Sequence, residues 1–181
     1  MKKIKTTIAG LYLLAPEIKA DKRGSFTRLW DKKIFNGMDL RIDIVNINIS
    51  FNPHKGTLRG MHYQRNPYSE IKIVGCVRGA IFDVAVDLRR NSKTYKKWVG
   101  YNLSEDNLNL LYIPEGIAHG FVTLSNNSQI SYFTSEYYYP GAEAGIRFND
   151  SNFNIKWPVK IRIISDKDRN WPDYKINGSS F

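Results

Sequence analysis

Apolar residues in this chain return at every second position, in short runs separated by turns. Val45, Ile47 and Ile49 open the pattern, which recurs over 71–77, 80–86, 99–103 and 129–134. Alternation of that kind puts successive side chains on opposite faces of an extended strand, whereas a helical stripe repeats every about 3.6 residues. Turn-forming pairs punctuate the runs: Asn52-Pro53, Arg78-Gly79, Asn126-Asn127 and Pro140-Gly141, with a polar stretch at 104–107. Short strands divided so regularly predict an all-β sandwich or barrel. Helix is confined to two short candidates, 31–36 and a single turn at 104–107.

The 181 residues suffice for one domain with a buried core, and a single unit over 1–181 is expected. Lysine and arginine number 27 against 17 acidic residues, a net charge of +10, so an anionic partner is expected. The lysines at 93, 96 and 97 read as a solvated loop. Basic residues are not interleaved with stacking aromatics in a nucleic-acid recognition motif, which favours a phosphorylated small molecule over nucleic acid. The start, Met1-Lys2-Lys3-Ile4-Lys5, is basic, but 6–14 is too short and too broken by Gly10 for a secretory run or membrane span; a cytoplasmic, membrane-free protein is expected. Cys76 is the sole cysteine. It lies in an apolar run and reads as a buried small hydrophobe in a reducing compartment.

Two of the three histidines sit in informative surroundings. His62 closes Gly56-Thr57-Leu58-Arg59-Gly60-Met61-His62-Tyr63-Gln64, and His119 lies in Pro114-Glu115-Gly116-Ile117-Ala118-His119-Gly120-Phe121. A glycine six residues before a histidine, followed by Pro-x-Gly-x-x-His, resembles the two halves of the cupin barrel motif. Many cupins hold a metal with two histidines in the first half; here Gln64 stands in place of the second. The ligand set is broken, and no metal is expected. Strict alternation over 58–64 puts His62 on one face with Leu58, Gly60 and Gln64, and Arg59, Met61 and Tyr63 on the other. Gly60 then leaves space for a ligand beside the imidazole. Lys72 falls in step with Val74 and Cys76, a cation on an apolar face and a suitable partner for a developing oxyanion. Tyr132 shares a face with Ser128, Ile130 and Thr134, and a neutral phenol can donate a proton. A short strand at 161–164 ends in Ser165-Asp166-Lys167-Asp168, where a carboxylate could orient His62. His54 reads as a loop residue, and Trp157 and Trp171 as core or interface anchors.

These motifs, with Tyr137-Tyr138-x-Pro140, Glu143-x-Gly145-Ile146 and Ser165-x-Lys167-Asp168, resemble those of the dTDP-4-dehydrorhamnose 3,5-epimerase family over about Asp21 to Pro172. The resemblance implies a cupin jelly-roll homodimer without metal or organic cofactor, acting on a nucleoside-diphosphate 4-keto-6-deoxy sugar of the kind used in bacterial surface polysaccharides (lipopolysaccharide, capsule). It implies His62 as general base, Asp168 as its orienting partner, Tyr132 as the acid on the opposite face and Lys72 near the C4 oxygen. Arg23, Arg59, His119, Tyr138, Glu143 and Lys167 match substrate-binding positions. Both C3–H and C5–H are acidified by the C4 ketone, so one enolate-stabilising site can serve either carbon.

The chain departs from the family pattern at Arg28, where a glutamate is common, and at Asn46-Ile47-Asn48, where Gln-x-Asn is common. Both belong to the nucleotide end. A guanosine-linked sugar, including a heptose, therefore stands beside the dTDP-linked hexose as an expected substrate. Which of C3 and C5 is inverted stays open at this point. Two other readings remain: a non-catalytic cupin that binds a sugar nucleotide, and a 3,4-ketoisomerase. The binder has no use for an acid and a base together, and the ketoisomerase, returning its proton to the same face, has none for Tyr132.

Overall fold

Strand alternation sorts the apolar side chains into layers. Val74 and Cys76 join a cluster with Leu111, Ile113 and Ile130, while Ile73, Leu110, Tyr112 and Phe133 join a second. The strands are therefore buried on both faces, and each fully buried Leu or Ile contributes about 1.5–3 kcal/mol. The computed structural model describes residues 1–40 and 42–174. In chain order the elements are β1 (Lys2–Lys5), β2 (Tyr12–Ala15), β3 (Ile18–Asp21), β4 (Gly24–Thr27), α1 (Lys32–Gly37), β5 (Asn46–Asn52), β6 (Leu58–Gln64), β7 (Lys72–Arg78), β8 (Ala80–Asp87), β9 (Trp98–Ser104), β10 (Leu110–Ile113), β11 (Ile117–Thr123), β12 (Ser128–Thr134), β13 (Glu143–Gly145) and α2 (Asp166–Arg169).

One sheet runs β1-β2-β10-β7-β12-β5, the other β13-β6-β11-β8-β9, and β3-β4 form a separate hairpin. The all-β jelly-roll expected from the sequence is present as two antiparallel sheets left open at their edges. Between them lies the first apolar cluster. The second is covered by α1 through Phe35, and the third, with Met61, Val84, Val86 and Ile146, by Phe153 and Ile155 of the chain's last third. The helix forms as expected: the Asp31 side chain caps it by accepting from Lys33 N and Ile34 N. At 104–107 the chain makes a turn, not a helix, with Asn107 Oδ1 accepting from Ser104 N and Asn109 N.

Two strands depart from the expected arrangement. β5 keeps its period but turns its apolar face outward: Ile47 is 64% exposed, Ile49 66% and Phe51 50%. In β6 the register slips. His62 pairs with His119 and Arg59 with Phe121, so Gly60 and Met61 together oppose Gly120. This β-bulge turns Arg59 to the same side as His62 and corrects the expectation that it faces away. Gly60 has φ +114, and a Cβ there would lie 2.6 Å from Gly120 Cα and 2.7 Å from His119 O. The small residue makes room for the neighbouring strand, not for a ligand.

Candidate active site

One end of the space between the sheets is filled by the apolar cluster; the other opens as a cavity of about 890 Å³. Its lining includes His62, Asp168, Lys72 and Tyr132, together with Asn46, Asn48, Arg59, His119, Tyr138, Glu143 and Lys167. Eleven of the thirteen residues singled out in the sequence thus meet in one place. Arg23 and Arg28 do not. Arg23 lies on the β3-β4 hairpin, ion-paired to Asp21 at 2.5 Å, and Arg28 pairs with Asp31 at 3.0 Å. Both are largely exposed and outside the cavity of their own chain.

β6 carries His62 on one wall, and the expected strand at 161–164 is replaced by an isolated bridge from Ile163 to Thr57. After it the chain turns into α2, because Ser165 Oγ caps the helix by accepting from Asp168 N at 3.1 Å. That single turn delivers Asp168, 4% exposed, to the back of the histidine. Asp168 Oδ1 stands 2.5 Å from His62 Nε2, and Oδ2 accepts from Gly60 N at 3.1 Å. Burial pushes the Asp168 carboxyl up, but the hydrogen bond and charge of His62, with the Gly60 N–H, outweigh it and hold it below the ordinary aspartate range. An ionised Asp168 requires the proton on Nε2, which leaves the Nδ1 lone pair as the basic atom. Trp171 packs edge-on to His62, with ring centroids 6.3 Å apart, over Gly145, where a Cβ would come within 2.2 Å of the indole.

Tyr132 rises from β12 on the opposite sheet, paired with Asn48 of β5 and Val74 of β7. Lys72 begins β7 and, as its phase with Val74 predicts, faces the interior; its Nζ lies 2.9 Å from Glu70 Oε1. At the mouth, the Tyr138 hydroxyl donates to Glu143 Oε2 at 2.5 Å and Lys167 Nζ donates to the same oxygen. At the other end Arg59 Nε donates to Asn52 Oδ1 at 2.8 Å, and Asn48 and Ser50 line the wall beside it.

Three participants escaped the sequence reading. Asp83, fully buried, holds His119 Nε2 at 2.9 Å. Complete burial pushes its carboxyl up, and His119 and Lys72 offset this only in part. The signal was an aspartate in the apolar strand 80–87. Glu70 beside Lys72 and the Ser165 cap are the others. Both histidines that a cupin metal would use have Nε2 committed to a carboxylate, and among the described residues no group of three or more His, Cys, Asp or Glu is placed to hold an ion. Cys76 is buried, and burial pushes its thiol up to about 11, which leaves it inert at neutral pH.

The family described as dTDP-4-dehydrorhamnose 3,5-epimerase matches residues 5–175. A Shigella flexneri protein of that name is 43% identical over 182 residues, covering 100% of this chain and 96% of its own. The Bacillus anthracis dTDP-4-dehydrorhamnose 3,5-epimerase, solved with TDP and PPi bound, superposes with a TM-score of 0.93 at 41% identity, covering 96% of this chain and 99% of that one. A Legionella pneumophila dTDP-6-deoxy-D-glucose-3,5-epimerase, solved in complex with dTDP-4-keto-L-rhamnose, gives 0.87 at 37% identity, covering 92% and 89%.

Proposed function

Because the chain belongs to the dTDP-4-dehydrorhamnose 3,5-epimerase family, we propose that the cavity inverts C3, C5 or both of a dTDP-linked 4-keto-6-deoxy sugar by proton removal on one face and return on the other. The chain is an isomerase of the nucleotide-sugar class. The observation that carries the mechanism is the placement of His62, backed by Asp168 of α2, on one sheet and Tyr132 on the sheet facing it, His62 and Tyr132 lining one cavity.

His62 Nδ1 takes the proton α to the ketone, and Asp168 stabilises the imidazolium that forms. Negative charge moves to the C4 oxygen, where the Lys72 ammonium meets it. The Tyr132 phenol then delivers a proton from the opposite wall, and exchange with solvent resets both groups before the next inversion. Arg59 of β6, facing Asn46 and Asn48 of β5 across the cavity, suits the diphosphate and base with them, and Tyr138, Glu143 and Lys167 suit the sugar. Arg28, on which the guanosine alternative partly rested, pairs with Asp31 away from this wall, and the relatives named above carry dTDP in their names; dTDP is the reading we adopt.

The active form is proposed to be a homodimer in the cytoplasm. β5 is an edge strand with Ile47, Ile49 and Phe51 exposed, and the β3-β4 hairpin exposes Phe26 at 61%. A second copy laid on these surfaces would bury them, and would let the hairpin carry Arg23 toward the partner's cavity. No helix among the described residues is long and apolar enough to cross a membrane. The function is tested by incubating the protein with dTDP- and GDP-linked 4-keto-6-deoxy sugars in heavy water and following C3 and C5 by NMR. Deuterium is expected at one or both carbons of the dTDP sugar, and His62→Ala should slow its entry by about 100-fold or more. No deuterium at either carbon with any substrate would remove the proposal, and preference for the GDP sugar would reverse the choice of base.

A further inference from the structure

Gln64 occupies the place where a metal-binding cupin has a histidine, and its carboxamide is fully employed elsewhere. The residue is 4% exposed. Nε2 donates to the carbonyls of Tyr68 and Tyr137, each at 3.0 Å, and Oε1 accepts from the Tyr139 N–H at 2.7 Å. These bonds tie the turn after β6 to the loop between β12 and β13, segments about seventy residues apart in sequence. The Tyr68 and Tyr139 rings stack at 3.9 Å between centroids, adding a side-chain contact to the same junction. The loop so held presents Tyr137 and Tyr138 to the cavity, and Tyr138 closes onto Glu143 and Lys167.

Only a primary amide offers two donors and an acceptor in this arrangement. A carboxylate would face both carbonyls with negative oxygen, and an imidazole has one donor and one acceptor at most. We infer that Gln64 is a positioning residue, clamping the loop at 135–142 so that Tyr138 and Glu143 form a fixed wall at the sugar end of the cavity. Its effect falls on how the sugar is held, not on the proton-transfer groups themselves. This inference rests on the epimerase reading for its kinetic consequence, though not for the clamp.

The test joins kinetics of Gln64→Glu to amide hydrogen exchange of the parent. At about pH 8 the ionised variant should raise KM by roughly tenfold with a smaller change in kcat, the scale expected when a buried donor pair is replaced by repulsion. As pH falls toward about 6, a protonated carboxyl regains one donor, and the ratio of variant to parent KM should shrink. In the parent, the Tyr139 amide should exchange slowly although the residue is 38% exposed. Parental KM in the variant at about pH 8, a KM defect indifferent to pH, or a Tyr139 amide that exchanges as fast as its loop neighbours would each overturn the inference. Should the variant fail to fold, the parent's amide decides alone. A parent that exchanges no substrate hydrogen would remove the epimerase reading while leaving the amide result standing.

Discussion

A single carboxylate decides what His62 can do. Asp168 fixes the imidazole's tautomer, so Asp168→Asn, which keeps the shape but not the charge, should lower kcat by about 100-fold or more with little change in KM, as steady-state kinetics will show. The same residue leaves a mark on stability. Its folded pKa lies below the ordinary aspartate value, so its contribution is present above that value and is lost as pH falls through the folded one. Thermal midpoints measured downward from about pH 4 should therefore fall more steeply for the parent than for the Asn variant, which has nothing to titrate there; parallel curves would contradict the assignment. At this scale much was legible. Lys72 stood out as a cation on an apolar strand face, and Tyr132 and Asp168 through the family motifs they belong to. Asp83 and the clamp role of Gln64 were not legible, because each acts on a residue distant in the chain that only folding brings near; Glu70 lies two residues from Lys72, but the sequence does not say that the two side chains meet.

Between strands, the deciding feature is the bulge in β6. Alternation counted from sequence assumes an unbroken ladder, and nothing local distinguishes a glycine in a regular strand from one that lets two backbones touch. The contact with Gly120 is long-range, so the inward turn of Arg59 could not be counted from residue spacing. Gly60→Ala should consequently cost about 3 kcal/mol or more, since both a positive φ and two backbone atoms oppose the added methyl. Urea unfolding should show a lower midpoint at unchanged slope. A loss within about 0.5 kcal/mol would mean that the strands part easily there. α2 was missed for a related reason: a four-residue helix has no period to detect, and its Ser165 cap alone marks its start. The helix after Asp31 carries two marks in its sequence, the capping aspartate and the buried Phe35.

The whole molecule carries two consequences that alternation alone did not announce. Outward-facing Ile47 and Ile49 sit on an edge strand, where the sequence pattern gives the period but not which face is buried. If a second copy covers them, light scattering should give twice the chain mass for the parent, and Ile49→Glu should shift it toward one, with activity falling if the hairpin serves the partner's cavity. A monomeric parent would end that proposal. The second consequence is the chemistry, for two sheets facing each other set an imidazole and a phenol on opposite walls of one cavity. Tyr132→Phe tests this most directly, with the product of a heavy-water incubation analysed for both label and configuration. Deuterium entering with the original configuration kept, and inversion slowed by about 100-fold or more, is the predicted result; inversion at the parental rate would show that the proton returns from some other group.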